Sequence, residues 1–286
     1  MSGEPEHRCG VVALLGRPNA GKSSLLNALL GQKISIATAR AQTTRGNLLG
    51  VLTRPGAQLL FHDTPGWHPS QRRFNLALSE RALRAAEDAD VRLLLFEAGA
   101  DWDEPERRLA ELAPPVLVVR TKCDRNVSTA VPGPERFAGV LETSALEGQG
   151  IEALVGALLP HLPAGPALYP EDFLTDAPMR FLAAERIREV AFEQLREEVP
   201  YALAVEVTEW KESDAELRIR ARLLVERDSQ MGIVVGQGGQ RLGRLGREAR
   251  RRLAELVGKT VHLNLRVKTD RGWTRRPRRV RQLGYL

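Results

Sequence analysis

Two rhythms divide the chain. In the first half, short apolar blocks recur with polar stretches between them: residues 11–16 (VVALLG), 59–64 (LLFHDT), 91–96 (VRLLLF), 116–121 (VLVVRT) and the shorter 140–142. Blocks of about four to eight apolar residues fit strands buried on both faces, and intervening helices join such strands in parallel. Residues 22–30 read as one helix, with Leu25, Leu26 and Leu29 on one face, and residues 151–159 as another. The spacing predicts an α/β domain with a mostly parallel sheet and flanking helices. The second half alternates instead. Leu217, Ile219, Ala221, Leu223 and Val225 interleave with Arg218, Arg220 and Arg222, and Val261, Leu263, Leu265 and Val267 with His262, Asn264 and Arg266. Leu203, Val205 and Val207 give a further half-buried strand. Met179, Leu182, Ala183, Ile187, Val190, Ala191 and Leu195 recur at helical spacing, and two helices broken at Gly236–Gly239 separate the last two strands. The order α-β-β-α-α-β makes a small α+β domain. Between the halves, Pro163, Gly165, Pro166, Pro170 and Pro178 read as a stiff linker. The expected boundaries are 1–162, 163–178 and 179–286, with no internal repeat.

Composition narrows the class. The chain has 286 residues, 43% hydrophobic and 27% charged, which suits a folded chain of two domains and excludes disordered and disulfide-rich classes. No apolar run approaches the ~20 residues of a spanning helix. The polar N-terminus does not read as a signal peptide. Cys9 and Cys123 are the two cysteines, so a reducing, cytoplasmic setting is expected, and no Cys/His cluster has zinc spacing. The net charge of +6 is split unevenly: residues 1–178 hold 18 Lys+Arg against 21 Asp+Glu, and residues 179–286 hold 24 against 15. The second half, at +9, points to a polyanion, with nucleic acid foremost, or else to a solvated basic surface. Only 6 of the 42 basic residues are lysine, so the arginines partly reflect composition and are not all contacts.

The sharpest local signal is GRPNAGKS, Gly16 to Ser23, which fits G-x-x-x-x-G-K-[ST] between a strand and a helix. Gly16 and Gly21 let backbone N–H groups turn inward on phosphate oxygens, and the helix that follows adds its positive dipole end. Lys22 would neutralise the β- and γ-phosphates, Ser23 would meet Mg²⁺, and Ser24 the α-phosphate. DTPG (Asp63–Gly66) follows a strand. Asp63 is set to hold a Mg²⁺-bound water, and the Gly66 amide to meet a γ-phosphate and release it after hydrolysis. TKCD (Thr121–Asp124) places Asp124 to accept from guanine N1–H and N2–H₂, with the Lys122 stem over the base. In TSA (Thr143, Ser144, Ala145) a backbone N–H faces guanine O6. GTP, not ATP, is the nucleotide this order of motifs selects.

These motifs, with AQTTR (41–45), YPEDFLTD (169–176), VERDSQMGIVVGQGGQRLGRLG (225–246), VHLNLRVK (261–268) and LGY (283–285), resemble the Era family of P-loop GTPases over nearly the whole chain. The resemblance implies a GTPase domain followed by a type II KH domain that binds RNA. It implies Thr44 as the Mg²⁺-ligating switch threonine, with its neighbour Thr43 as the rival. Nucleotide contacts carried over are Asn19, Ala20, Gly21, Lys22, Ser23, Ser24, Asp63, Thr121, Lys122, Asp124, Ser144 and Ala145, and the catalytic residues Lys22, Thr44 and Gly66. Thr121 departs from the family's asparagine, which ties the base-reading loop to the phosphate loop, and this lowers the nucleotide affinity expected.

Ras-type enzymes place a water-orienting glutamine after the D-x-x-G glycine. Here the residue is Trp67, so slow intrinsic turnover is expected. Related GTPases with an asparagine at the position of Asn19 bind K⁺ beside the phosphates, which makes K⁺ a second candidate cofactor besides Mg²⁺. Arg45 reads as a catalytic finger or, more simply, a solvated switch arginine. His62 and His68 read as structural rather than catalytic. In the second half, Gly236, Gln237, Gly238 and Gly239 fit the G-x-x-G loop that clamps single-stranded RNA, with Arg241 and Arg244, then Arg247 and Arg251, along the next helix and Ile233 and Val234 lining an apolar groove for bases. Arg275, Arg276, Arg278 and Arg279 read as a nonspecific phosphate patch or as solvated.

The resemblance names the RNA as the 3′ end of 16S ribosomal RNA and the task as assembly of the 30S subunit. The alternative is an RNA-binding assembly chaperone whose GTPase is an uncoupled timer. Action on tRNA or at a membrane is a third reading, opposed by the lack of a modification domain or lipid anchor, although peripheral contact with the inner face of the membrane through basic patches stays open. A monomer is expected.

Overall fold

The computed structural model describes residues 6–38, 43–46, 48–67, 73–113, 115–127 and 129–285. The chain divides into two compact units, Met1–Asp176 and Ala177–Leu286.

The first unit holds β1 (Arg8–Leu15), α1 (Lys22–Leu30), β2 (Leu48–Arg54), β3 (Ala57–Asp63), α2 (Arg73–Glu87), β4 (Val91–Glu97), α3 (Glu104–Ala110), β5 (Val116–Thr121), β6 (Gly139–Thr143) and α4 (Ile151–Leu158). The strands form one sheet in the order β2-β3-β1-β4-β5-β6. β1, β3, β4, β5 and β6 are parallel, and β2 runs antiparallel to β3. The apolar blocks become the sheet's interior: Val12, Leu14, Leu59, Phe61, Leu93, Leu94, Val118 and Val119 are all buried. β2 is the strand that the hydrophobic pattern does not single out. Gly50 lies at its centre because a Cβ there would stand 2.6 Å from Leu26 of α1.

The proline-rich stretch contains no helix or strand, yet it is not a free linker. β1 begins four residues before its pairing with β4 starts at Val12, which leaves an open edge. Residues 163–165 close it, with Cys9 N–H donating to Pro163 O (3.1 Å) and Gly165 N–H to His7 O (2.9 Å). The wholly buried Gln58 grips the backbone further on. Its Nε2 donates to Tyr169 O (2.9 Å), and its Oε1 accepts from Leu168 and Tyr169 N–H. Tyr169 and Phe173 stack at 4.6 Å over Cys9, Leu49, Val51 and Leu60. Val51 N–H on edge strand β2 donates to Leu174 O (2.9 Å). This strap covers sheet edges that would otherwise carry unpaired polar groups.

The second unit comprises α5 (Met179–Gln194), β7 (Ala204–Glu212), β8 (Glu216–Val225), α6 (Asp228–Val235), α7 (Gln240–Val257), β9 (Thr260–Thr269) and α8 (Pro277–Gln282). The sheet order is β7-β8-β9, with β7/β8 antiparallel and β8/β9 parallel. A parallel pair needs a crossover, and α6–loop–α7 supplies it. Ile187 and Val190 of α5, Leu245, Ala249 and Leu253 of α7, and Leu217, Ile219 and Leu223 of β8 form the core. An irregularity between Val207 and Glu209 breaks the alternation of β7, so Trp210 rather than Glu209 joins the core. Trp273, Val280 and Tyr285 are buried, and the wholly buried Arg188 lies over Phe192 and Tyr285 while its Nε donates to Glu185 (2.7 Å).

Candidate functional site

The carboxyl ends of β1, β3 and β5 converge on a cleft of about 810 Å³. The loop from β1 to α1 forms its floor. Gly16 (φ 139°) leaves no room for a Cβ, which would stand 2.3 Å from Leu95 O, and Asn19 (φ 70°) and Gly21 (φ 90°) complete the left-handed path that a phosphate-wrapping loop requires. Pro18, Asn19, Gly21, Lys22, Ser23 and Ser24 line the cleft. Ala20 stands behind them: its carbonyl accepts from the Thr121 hydroxyl at 2.8 Å.

Lys22 is buried, and its Nζ donates to the carbonyls of Gly16 (3.0 Å) and Arg17 (2.8 Å). Burial pulls its ammonium down to about 8, against the opposing pull of Asp63. Ser23 Oγ lies 2.8 Å from Thr44 Oγ1 and donates to Asp63 Oδ2 at 2.7 Å. Thr43 also lines the cleft. Asp63 is wholly buried, and burial pushes its carboxyl up while the Ser35 and Ser23 hydroxyls hold it down. Its Oδ1 is buried without a hydrogen-bond partner. Two hydroxyls and a carboxylate with an orphaned oxygen are hard donors of the kind Mg²⁺ takes, and the orphaned oxygen suits a metal-bound water. Among the described residues, no cluster of three or more His, Cys, Asp or Glu could hold a metal, so a divalent ion here would depend on the two hydroxyls beside Asp63.

Gly66 sits against the phosphate loop so closely that a Cβ would stand 2.4 Å from Pro18 N. Trp67 donates its N–H to Gly16 O (3.1 Å), and its ring is buried among Ala13, Leu15 and Leu94, so it presents nothing that could orient water. On the base side, Lys122, Asp124, Thr143 and Ala145 line the cleft. Lys122 pairs with Glu97 at 2.6 Å. Ser144 is wholly buried, its backbone paired with Gln149 and its hydroxyl accepting from Glu147 N–H (3.2 Å), so it shapes the loop that presents Ala145. The Thr121 hydroxyl keeps a tie between the base-side and phosphate loops through Ala20 O, and it also lies 3.2 Å from Phe96 O.

Some expectations need correction. Arg45 is not solvated: it is 2% exposed, with its guanidinium 5.8 Å over the ring of Phe74. His62 is half-buried, with Nδ1 unbonded and its pKa lowered chiefly by burial, which suits a structural residue. His68, with Ala41 and Gln42, lies outside the described residues.

In the second unit, the Gly236–Gly239 loop joins α6 to α7. Gly236 (φ 72°), Gly238 (φ 56°) and Gly239 (φ 77°) all take left-handed backbone, and no heavy atom lies within 4 Å of a Cβ built at Gly238 or Gly239. That bare backbone beside a helix N-terminus suits close approach of phosphate. Arg241 turns back to donate to Ile233 O (2.6 Å) and braces the loop, whereas Arg244 and Arg247 are exposed. Arg251 pairs along its own helix with Glu248 and Glu255. Val234 is wholly buried in the core, so the apolar surface beside the loop comes from Ile233, 38% exposed, and not from Val234. In the C-terminal basic run, Arg276 and Arg279 pair with Asp270, and Arg279 with Glu206 as well, which leaves Arg275 and Arg278 as its exposed remainder.

Ser35 and Asn27 escaped the sequence reading. Both belong to the Asp63 side of the cleft, and nothing in their local spacing marks them.

A nucleotide cleft of this build on a mostly parallel sheet, followed by a unit with a glycine loop between two helices, defines a P-loop GTPase with an appended KH domain. Comparison with known proteins gives the same pair: residues 11–122 match the family described as 50S ribosome-binding GTPase, and residues 198–274 the KH domain. The chain is 43% identical over 298 aligned positions to GTPase Era of Xanthomonas campestris pv. campestris (strain B100), covering 100% of each, and 40% identical to GTPase Era of Nitratidesulfovibrio vulgaris (strain DP4), covering 97% of each. Among solved structures, Era in complex with MgGDPNP and nucleotides 1506–1542 of 16S ribosomal RNA superposes with a TM-score of 0.90 at 38% identity, covering 98% of this chain and 99% of that one. An Aquifex aeolicus Era variant bound to GDP and AlF₄⁻ matches with a TM-score of 0.90 at 39% identity, covering 97% of this chain and 99% of that one. The chain belongs to the Era family and is a GTPase.

Proposed function

We propose that this protein is a GTP-driven switch that binds the 3′ end of 16S ribosomal RNA through its KH domain and assists assembly of the 30S subunit. The observation that carries the reading is the likeness, over 98% of the chain, to an Era structure holding both MgGDPNP and that RNA segment.

In this mechanism Lys22 exchanges its two loop carbonyls for the β- and γ-phosphate oxygens. Ser23, Thr44 and, through water, Asp63 would hold Mg²⁺, and the ion would supply neutralisation of charge on the transferring phosphoryl group. Asp124 and the Ala145 N–H read guanine. Gly66 faces the γ-phosphate and is released once the phosphate leaves. With Trp67 buried, no side chain there orients water, so intrinsic hydrolysis is slow. K⁺ beside Asn19 is the finer part of the reading, and equal GTP turnover in K⁺ and Na⁺ buffers would remove it. The RNA backbone lies along Gly236–Gly239, with Arg244 and Arg247 supplying salt-dependent phosphate contacts.

GTP turnover measured with and without a single-stranded RNA of the 16S 3′ end tests the coupling. Stimulation that disappears when Gly238 and Gly239 are both replaced by Asp, with GTP binding intact, is expected. Unchanged turnover despite RNA binding would favour the uncoupled timer. RNA binding that survives the double replacement would move the site off this loop.

A further inference from the structure

Ser23 and Asn27 lie four residues apart on α1 and so share one face of that helix. Asn27 uses its whole amide on one neighbouring segment. Its Oδ1 accepts from the N–H groups of Ile34 and Ser35, both at 2.9 Å, and its Nδ2 donates to Ser35 O at 2.9 Å. Two donors on one side and a carbonyl on the other fix the amide's orientation. Ser35, thus clamped at both its N–H and its C=O, is buried, and its hydroxyl donates to Asp63 Oδ2 at 2.6 Å. Ser23 donates to the same oxygen at 2.7 Å. Two hydroxyls therefore converge on Oδ2 of a carboxylate with no exposed surface, and Oδ1 is left without a partner.

This is more than a buried serine needs. A lone hydroxyl can satisfy itself on a carbonyl of its own turn, whereas here a three-bond clamp aims it at one oxygen of the carboxylate that Ser23 also bonds. Fixing Oδ2 from two directions removes the rotation by which a carboxylate would exchange its oxygens. We propose that Ser35, clamped by Asn27, is a positioning residue that holds the Asp63 carboxylate in the orientation its Mg²⁺-bound water requires, and so sets how strongly Mg²⁺ supports nucleotide binding. The proposal rests on the Mg²⁺–GTP reading of the cleft given above.

The test is the affinity of the full-length protein for a fluorescent GTP analogue, measured in Mg²⁺ and again in EDTA. Ser35→Ala is expected to weaken binding in Mg²⁺ by about tenfold, the scale of one hydrogen bond to a charged group, and to change it less than about twofold in EDTA. Asn27→Ala, which leaves the hydroxyl but frees its backbone, should shift the ratio in the same direction. An equal loss in both buffers would mean that the pair merely supports the fold, and no loss in either would mean that Asp63 is positioned without it. Each result overturns the proposal. If Ser35→Ala does not fold, Asn27→Ala carries the same ratio test, and failure of both to fold assigns the pair to the fold and also overturns it. Wild-type protein that binds equally well in Mg²⁺ and EDTA would remove the metal reading itself, whereas Mg²⁺ dependence kept in full by the variants removes only the role of Ser35.

Discussion

At the scale of the residue, most polar groups of the cleft are partnered by the protein itself. Lys22 is the clearest case. Its ammonium is held by two carbonyls and pulled down to about 8 by burial. Phosphates restore its preference for charge. Below about pH 8 the ammonium carries its proton with or without nucleotide, so affinity is flat. Above that, binding must take up a proton, and affinity should fall by up to about tenfold per pH unit until it meets the pKa of the bound state. Titrating affinity from pH 7 to 10 in EDTA checks this, and Lys22→Arg should flatten the curve. Gly66→Ala is the steric counterpart. Its Cβ would stand 2.4 Å from Pro18 N, so the loop must shift, and single-turnover hydrolysis should drop by at least about tenfold. The residues that phosphate and guanine recognition demand, Lys22, Ser23 and Asp63 for the one and Asp124 for the other, were legible because their spacing sits in short contiguous motifs. Ser35 was not: its partner lies 28 residues away, and a serine carries no local mark of what it will face. Arg45 misled for a related reason, since an arginine's burial against a ring is settled by tertiary packing.

At the scale of the element, legibility followed periodicity. α1 and the alternating β8 and β9 declare themselves through their apolar positions. β2 does not, because Leu48–Arg54 is an edge strand interrupted by Gly50, whose presence answers to a leucine on another element. The pairing of α5 with α7 was equally silent. Arg252 on α7 reaches Glu193 (2.6 Å) and Glu189 (3.2 Å) on α5, and Glu248 (2.7 Å) on its own helix. Hydrogen bonds from Arg251 and then Arg252 hold the Glu248 carboxyl at about 2, below its ordinary 4.5. A depressed carboxylate contributes stability that is present above its unfolded value and lost as pH falls through its folded one. The stability that this Glu248–Arg251–Arg252 network gives α7 should therefore be lost between about pH 4.5 and pH 2, and Glu248→Gln should flatten that part of the acid-unfolding profile. Circular dichroism across the range measures it.

At the scale of the whole molecule, the proline-rich stretch changes where the first unit ends. Composition reads residues 163–178 as a linker, and the bonds of Gln58, Val51 and Cys9 turn most of it into a strap. A protein shortened after residue 176 should stay soluble and bind GTP. One shortened after residue 162 should lose several degrees of melting temperature and aggregate, because two sheet edges open at once. Static light scattering alongside thermal melting separates the two. Thr121 carries a last consequence. Its one hydroxyl proton faces two carbonyls, at 2.8 and 3.2 Å, and can satisfy only one at a time. A latch with a single bolt opens readily, so spent GDP should leave on its own within seconds, faster than from a Thr121→Asn variant. The nucleotide state of this GTPase would then follow the cell's ratio of GTP to GDP directly, which would make it answerable to the energy supply without any partner to reset it.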